Sequence, residues 1–151
     1  MKHEYRKMTN EDLELIVEFE LKSREFEPDV FPDFDEEKYR IKYNSLRIDD
    51  LPCNDVILCL EGDKLIGRID LISEYSFMDF ISIGYIDWVY VLKPYRGRGI
   101  AKSLFKEAEK LFKQKNINEY YLFVASNDEA QNFYKSLNIN IKMVEKASKK
   151  L

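Results

Sequence analysis

Between a branched run ending Val89-Tyr90-Val91-Leu92 and a stretch of helical periodicity, the sequence sets Arg96-Gly97-Arg98-Gly99-Ile100-Ala101. A loop that opens a helix points several backbone N–H groups at one place. Those groups have no partner inside the helix, and the helix dipole favours negative charge there, so such a junction suits a phosphate or pyrophosphate. Gly97 and Gly99 let the backbone approach closely, while Lys93, Arg96, Arg98 and Lys102 add positive charge around the same point. Arginine can also grip phosphate oxygens through two parallel hydrogen bonds. The plain alternative is a tight strand-to-helix turn with solvated basic neighbours. Two standard phosphate loops fit poorly: no Gly-Lys-Ser/Thr ending is present, and the three-glycine dinucleotide fingerprint is incomplete.

Further groups could do chemistry nearby. Tyr134 lies on an apolar helical face with Ala130, Phe133 and Leu137, the place of a core aromatic. Asp87 stands two residues before Val89-Tyr90-Val91 and is the first candidate for a base or an amine anchor; partnership with a basic neighbour is the alternative. Asp70 and Glu74 are weaker candidates. Trp88 and Tyr90 could form an aromatic wall for a cation or simply belong to the core. Asp33, Asp35, Glu36 and Glu37 cluster near a helix start, where acidic residues are often solvated surface.

The inventory excludes several classes. His3 is the only histidine, so a Ser-His-Asp hydrolase and a histidine-based metal centre are ruled out. Cys53 and Cys59 fit neither a redox pair nor a zinc pattern and read as reduced thiols. A net charge of −4 argues against nucleic acid as a partner. No run approaches the roughly 20 apolar residues of a membrane span, and the start has no signal-peptide pattern, so a cytoplasmic location without a membrane partner is expected.

These groups need elements to position them. With 151 residues, 45% of them hydrophobic, and no linker or repeat, residues 1–151 are expected to form one domain. Glu4 to Met8 reads as a strand, Thr9-Asn10 as a cap, and a helix follows from about Glu11 with Leu13, Ile16 and Val17 on one face. A second helix is predicted from Asp35 to about Ile48. Val56 to Leu60 and Leu65 to Ile72 read as strands joined by Glu61-Gly62-Asp63-Lys64, and Ile86 to Leu92 as a third strand of this region stopped by Pro94. Ile100 to Lys115 is predicted helical from its stripe of Ile100, Ala101, Leu104, Phe105, Ala108, Leu111 and Phe112. Tyr120 to Val124 reads as a strand covered on both faces, before a final helix after Asn127-Asp128.

Arg96-x-x-Gly99-x-Ala101 after Val89-Tyr90-Val91 resembles the acetyl-CoA signature of the GNAT superfamily of N-acetyltransferases. The stretch from Asn127 to Leu137, with Asn, Ala and Phe-Tyr at matching places, resembles that family's second segment. The resemblance implies an α/β (α+β) fold: a mixed, mainly antiparallel central sheet flanked by helices, with a parallel strand pair splayed around the cofactor. It implies acetyl-CoA as co-substrate, with no metal, and transfer to a primary amine on a small molecule, an aminoglycoside-like compound or a peptide. In this pattern the main chain of Val89, Tyr90 and Val91 pairs with the pantetheine arm. Arg96, Gly97, Arg98, Gly99, Ile100 and Ala101 hold the pyrophosphate, Asn127 contacts the cofactor, and Tyr134 protonates the leaving thiolate. A non-catalytic acyl-CoA sensor of the same fold is the alternative. The family has Gly-Phe and at least two strands where this chain has Asn138-Ile139 and a short tail. Either a last strand is missing or a partner chain, as in a homodimer, completes the sheet.

Overall fold

Alternation of apolar and polar residues across a strand sends side chains to opposite faces, and here both faces are buried by helices. In the computed structural model, which describes residues 2–151, the strands are β1 (Glu4–Lys7), β2 (Asn54–Glu61), β3 (Lys64–Ser76), β4 (Ile81–Val91) and β5 (Tyr120–Leu122). They lie in that order in one sheet, antiparallel as far as β4. β4 and β5 are parallel and paired only from Gly84↔Tyr120 to Ile86↔Leu122. The helices are α1 (Leu13–Phe26), α2 (Glu36–Ser45), α3 (Ile100–Gln114) and α4 (Asp128–Ser136).

α1 and α2 cover one face. Ile16, Phe19 and Tyr43 meet Leu58, Leu60, Leu65, Tyr90 and Leu92 there. α3 covers the other, where Ile100, Leu104, Phe105, Ala108 and Phe112 lie on Ile57, Cys59, Ile69, Leu71, Ile86 and Val91. The predicted stripe of α3 is therefore its core face. Thr9 caps the 3-10 turn Asn10–Asp12 that leads into α1, in a reciprocal capping box with Asp12, and the Asp35 carboxylate caps α2. The second predicted helix ends earlier than expected, at Ser45, and a 3-10 turn Ile48–Asp50 takes its last residues.

Two local departures matter for the site. Asp70 pairs with Trp88 but Leu71 pairs with Ile86, so Asp87 is an extra residue that bulges out of β4. The bulge reverses the strand's facing: Ile86 and, beyond it, Val89 and Val91 all turn towards α3, while Trp88 and Tyr90 turn towards α1. The second departure is in β5, where coverage on both faces was expected. Tyr121 and Phe123 are 40% and 54% exposed, because the α1 and α2 layer does not extend over the sheet as far as β5. Asn138 takes the left-handed turn after α4 at φ 58°, a conformation asparagine tolerates. Residues 139–151 carry no helix or strand. No helix among the described residues is long and apolar enough to cross a membrane.

Candidate acetyl-transfer site

Gly99 is the N-cap of α3 at φ 77°, and Gly97 sits at φ 78°. Positive φ is costly for residues with a Cβ, so glycine is the residue the backbone requires at both places. A Cβ built at either glycine meets nothing within 4 Å, which means open space lies over the loop. Gly99 has no side chain with which to cap the helix, and the Ser103 N–H closes the first turn onto the Gly99 carbonyl at 3.1 Å. The amides before Ser103 are thus left pointing outward.

They point into a cleft of about 720 Å³. One wall is β4 at Val89, Tyr90 and Val91; the opposite wall is Ala125, Asn127, Ala130, Phe133 and Tyr134 from the end of β5 and α4. The cleft exists because β4 and β5 part after Ile86 and Leu122. Beyond that point the β5-facing edge of β4 keeps its main-chain groups available to an extended ligand, as any sheet edge does.

Tyr134 is only 9% exposed and lies among Phe105 and Phe133 with its ring edge-on to both. Burial pushes its phenol above the usual tyrosine range, which keeps it protonated at neutral pH. Asn127 lines the cleft while its Oδ1 accepts from the Ala130 N–H at 2.8 Å, so its side-chain amide remains to donate.

Arg96 also lines the cleft, but its guanidinium is already engaged. Its Nε donates to the Val91 carbonyl at 3.0 Å and its two terminal nitrogens donate to Glu27 at 3.2 and 2.5 Å. It lies over the Tyr90 ring at 5.1 Å, and the Tyr90 hydroxyl donates to the same Glu27 carboxylate at 2.5 Å. Glu27, just past the end of α1, was missed from the sequence: it is 69 positions from Arg96, and only a following Pro28 marks it as a helix stop. Its carboxyl is drawn up by burial, but the Tyr90 hydroxyl and Arg96 outweigh this and hold it below the usual range. Arg98 is less committed, lying over Tyr95 at 5.0 Å and 3.4 Å from Glu61. Lys102 lines the cleft beside the outward amides, whereas Arg98, expected there from the sequence, does not.

On the α1 side of β4, Asp87 is exposed, and its charge reaches Tyr85 and the half-buried Asp70. Asp70 is held in a network with Arg68, whose Nη2 donates to it at 3.1 Å and whose Nη1 donates to Glu20 at 2.6 Å. Burial pushes the Asp70 carboxyl up against the pull of Arg68. Trp88 does not line the cleft; it stacks on Tyr90 with centroids 6.2 Å apart and meets Phe31 edge-on. The acidic cluster near α2 is local structure, Asp35 capping the helix and Glu36 pairing with Arg40 at 3.0 Å.

A cleft with outward amides at a helix start, opened by a splayed parallel pair, can hold an extended ligand bearing a pyrophosphate. The acetyltransferase (GNAT) family model matches residues 17–139. The chain belongs to the GNAT acetyltransferase family. A search of the curated proteins finds no match to the sequence. Solved structures share the fold of this GNAT member over nearly their whole length. A possible acetyltransferase from Clostridium difficile 630 is 24% identical with a TM-score of 0.78, covering 100% of this chain and 99% of that one. An aminoglycoside acetyltransferase from an uncultured soil metagenomic sample is 17% identical with a TM-score of 0.80, covering 100% of both chains. An aminoglycoside N-acetyltransferase in complex with CoA is 15% identical with a TM-score of 0.77, covering 99% of this chain and 95% of that one.

Proposed function

We propose that the protein moves the acetyl group of acetyl-CoA to a primary amine by direct attack, with both substrates bound together. The observation that carries this reading is the cleft between β4 and β5, with the Gly97 and Gly99 loop and Tyr134 both in its lining. The open space over both glycines suits a pyrophosphate. When bound, acetyl-CoA supplies the acetyl group as a thioester.

The amides of residues 97–102 would hold the pyrophosphate, with Lys102 completing its charge, while Arg96 fixes the loop to β4 and α1. The main-chain groups of Val89, Tyr90 and Val91 would receive the pantetheine arm, and Asn127 would donate to it from the opposite wall. An alkylamine with a pKa near 10.4 is about one part in a thousand neutral at pH 7, so its ammonium proton must leave before attack. Asp87, exposed on the acceptor side of β4, takes that proton directly or through water. The amine nitrogen then forms the new C–N bond as the C–S bond breaks. Tyr134 gives its proton to the departing sulfur and is reprotonated by the one that the amide nitrogen loses. Acceptors include small polyamines, aminoglycoside-like compounds and basic peptides.

Calorimetric titration with acetyl-CoA, alongside thiol release across a set of amines, tests this. In Tyr134→Phe, acetyl-CoA should bind within about threefold of the parent while kcat falls at least 100-fold, the lower end of what a general acid contributes. Tight binding with no thiol release from any amine would favour a non-catalytic acyl-CoA sensor, and no binding at all would sink both readings.

A further inference from the structure

On the face of the sheet that α1 and α2 cover, the cover stops near Trp88, and beyond it lies a bare aromatic ledge. Tyr85 and Tyr121 stack with centroids 4.9 Å apart and planes 24° apart, and Phe123 meets them edge-on at 5.9 and 6.1 Å. The Tyr121 hydroxyl donates to both oxygens of Glu74 at 3.0 and 2.9 Å. Tyr85 lies on the same strand as Asp87, the proposed base, so ledge and acceptor site adjoin.

The chain already places a cation on this ledge. Lys146, from the irregular segment after α4, holds its Nζ 5.4 Å from the centre of the Phe123 ring. Among the described residues no carboxylate pairs with Lys146, and its ammonium faces the ring. Aromatic faces attract ammonium groups through their negative π-clouds, and a nearby carboxylate strengthens the pull. Ledge and base are close in sequence as well as in space: Tyr85 is two strand residues from Asp87, about 7 Å along β4.

We propose that Phe123, Tyr121, Tyr85 and Glu74 form a second cation subsite for the acceptor, which Lys146 fills until an acceptor with two or more ammonium groups displaces it. The inference rests on the acetyltransferase reading and narrows it: one amine of the acceptor reaches the thioester near Asp87 while a second ammonium sits over Phe123. The preferred acceptors are then polyvalent amines. Monoamines cannot use the ledge.

Two measurements on the full chain test this. In steady-state thiol release, Lys146→Ala should lower the KM for spermidine about threefold or more and leave that for butylamine unchanged, whereas Phe123→Leu should raise the spermidine-to-butylamine KM ratio about tenfold. Equal ratios in parent and variants would overturn the proposal. The second measurement needs no turnover: in the free protein the Lys146 ε-methylene NMR signal, assigned by its loss in Lys146→Ala, should be shifted upfield by the Phe123 ring and return to its ordinary position as spermidine is added. A signal never shifted, or one that spermidine does not move, would also overturn it. If no amine supports thiol release but the NMR displacement occurs, the subsite stands and the acetyltransferase reading fails.

Discussion

Arg96 carries the family signature, yet its side chain serves the protein more than the ligand. Its side-chain hydrogen bonds go to Val91 and Glu27, so it joins the end of α1 to β4 at the start of the Gly97 and Gly99 loop. The loop's own capacity lies in backbone amides that only glycine geometry can present. Gly99→Ala should therefore act through conformation, since its Cβ clashes with nothing but must adopt φ 77°. A residue with a Cβ pays roughly 1–2 kcal/mol in that region, which for a chain of this size is a fall in Tm of about 4 °C by thermal melting. The same substitution should weaken acetyl-CoA binding about tenfold, as the loop relaxes away from it. Single residues were legible to very different degrees. Gly97 and Gly99 stand out by spacing and Tyr134 only by resemblance, and all three line the cleft. Glu27 had no such signal: its importance arises only when folding brings α1 against β4.

Among the elements, α3 was the most legible, because a helix buried on one face writes its period into the sequence. The stripe from Ile100 to Phe112 meets the sheet as expected. Its closest approach is at Phe112, whose ring lies over Gly84 of β4: a Cβ built there would come within 2.6 Å of Phe112 Cζ. Gly84→Ala should destabilise the protein by about 1–3 kcal/mol through overpacking, read as a lower urea midpoint with unchanged slope. Adding Phe112→Leu should recover much of the loss. The strands were harder to read. β3 and β4 run farther than expected, to Ser76 and from Ile81, because they pair with each other beyond the covered sheet. The bulge at Asp87 was not legible at all, since it is a property of the register with β3 and not of β4 alone. The exposure of β5 escaped notice for a similar reason: a continuous apolar run does not say how far a neighbouring layer extends.

At the scale of the whole molecule, two buried carboxylates tie distant segments together. Asp12 accepts from Arg6 at 2.8 and 2.7 Å, fixing β1 to the turn before α1. Asp55 pairs with Lys7 at 2.5 Å and with Lys115, so it joins β2 to β1 and to the end of α3. Arg6 holds the Asp12 carboxyl below its ordinary value; for Asp55 burial pulls upward, but Lys115 and Lys7 prevail and hold it low as well. Their folded pKa values lie below the unfolded value near 3.9, so each contributes stability that is complete above that value and lost as pH falls through the folded one. Urea midpoints should be nearly level from about pH 7 to pH 5 and fall steeply below about pH 4, and Asp12→Asn should flatten that fall while lowering the plateau. Among the described residues, the arrangement of layers follows from the elements' apolar faces, and these two stitches hold the first strand in place beside them.

The extra residue in β4 also decides what kinds of change the gene can accept. Downstream of Asp87, the valines that line the cleft and the tyrosine that meets α1 keep their sides only because one position is skipped in the ladder. Exchanging that aspartate for another amino acid would remove the proposed base but leave the register of the strand intact. Deleting its codon would straighten the strand and turn one portion over relative to the other, exchanging core for surface across the floor of the site. For this stretch, the fold depends on the count of residues before it depends on their identities.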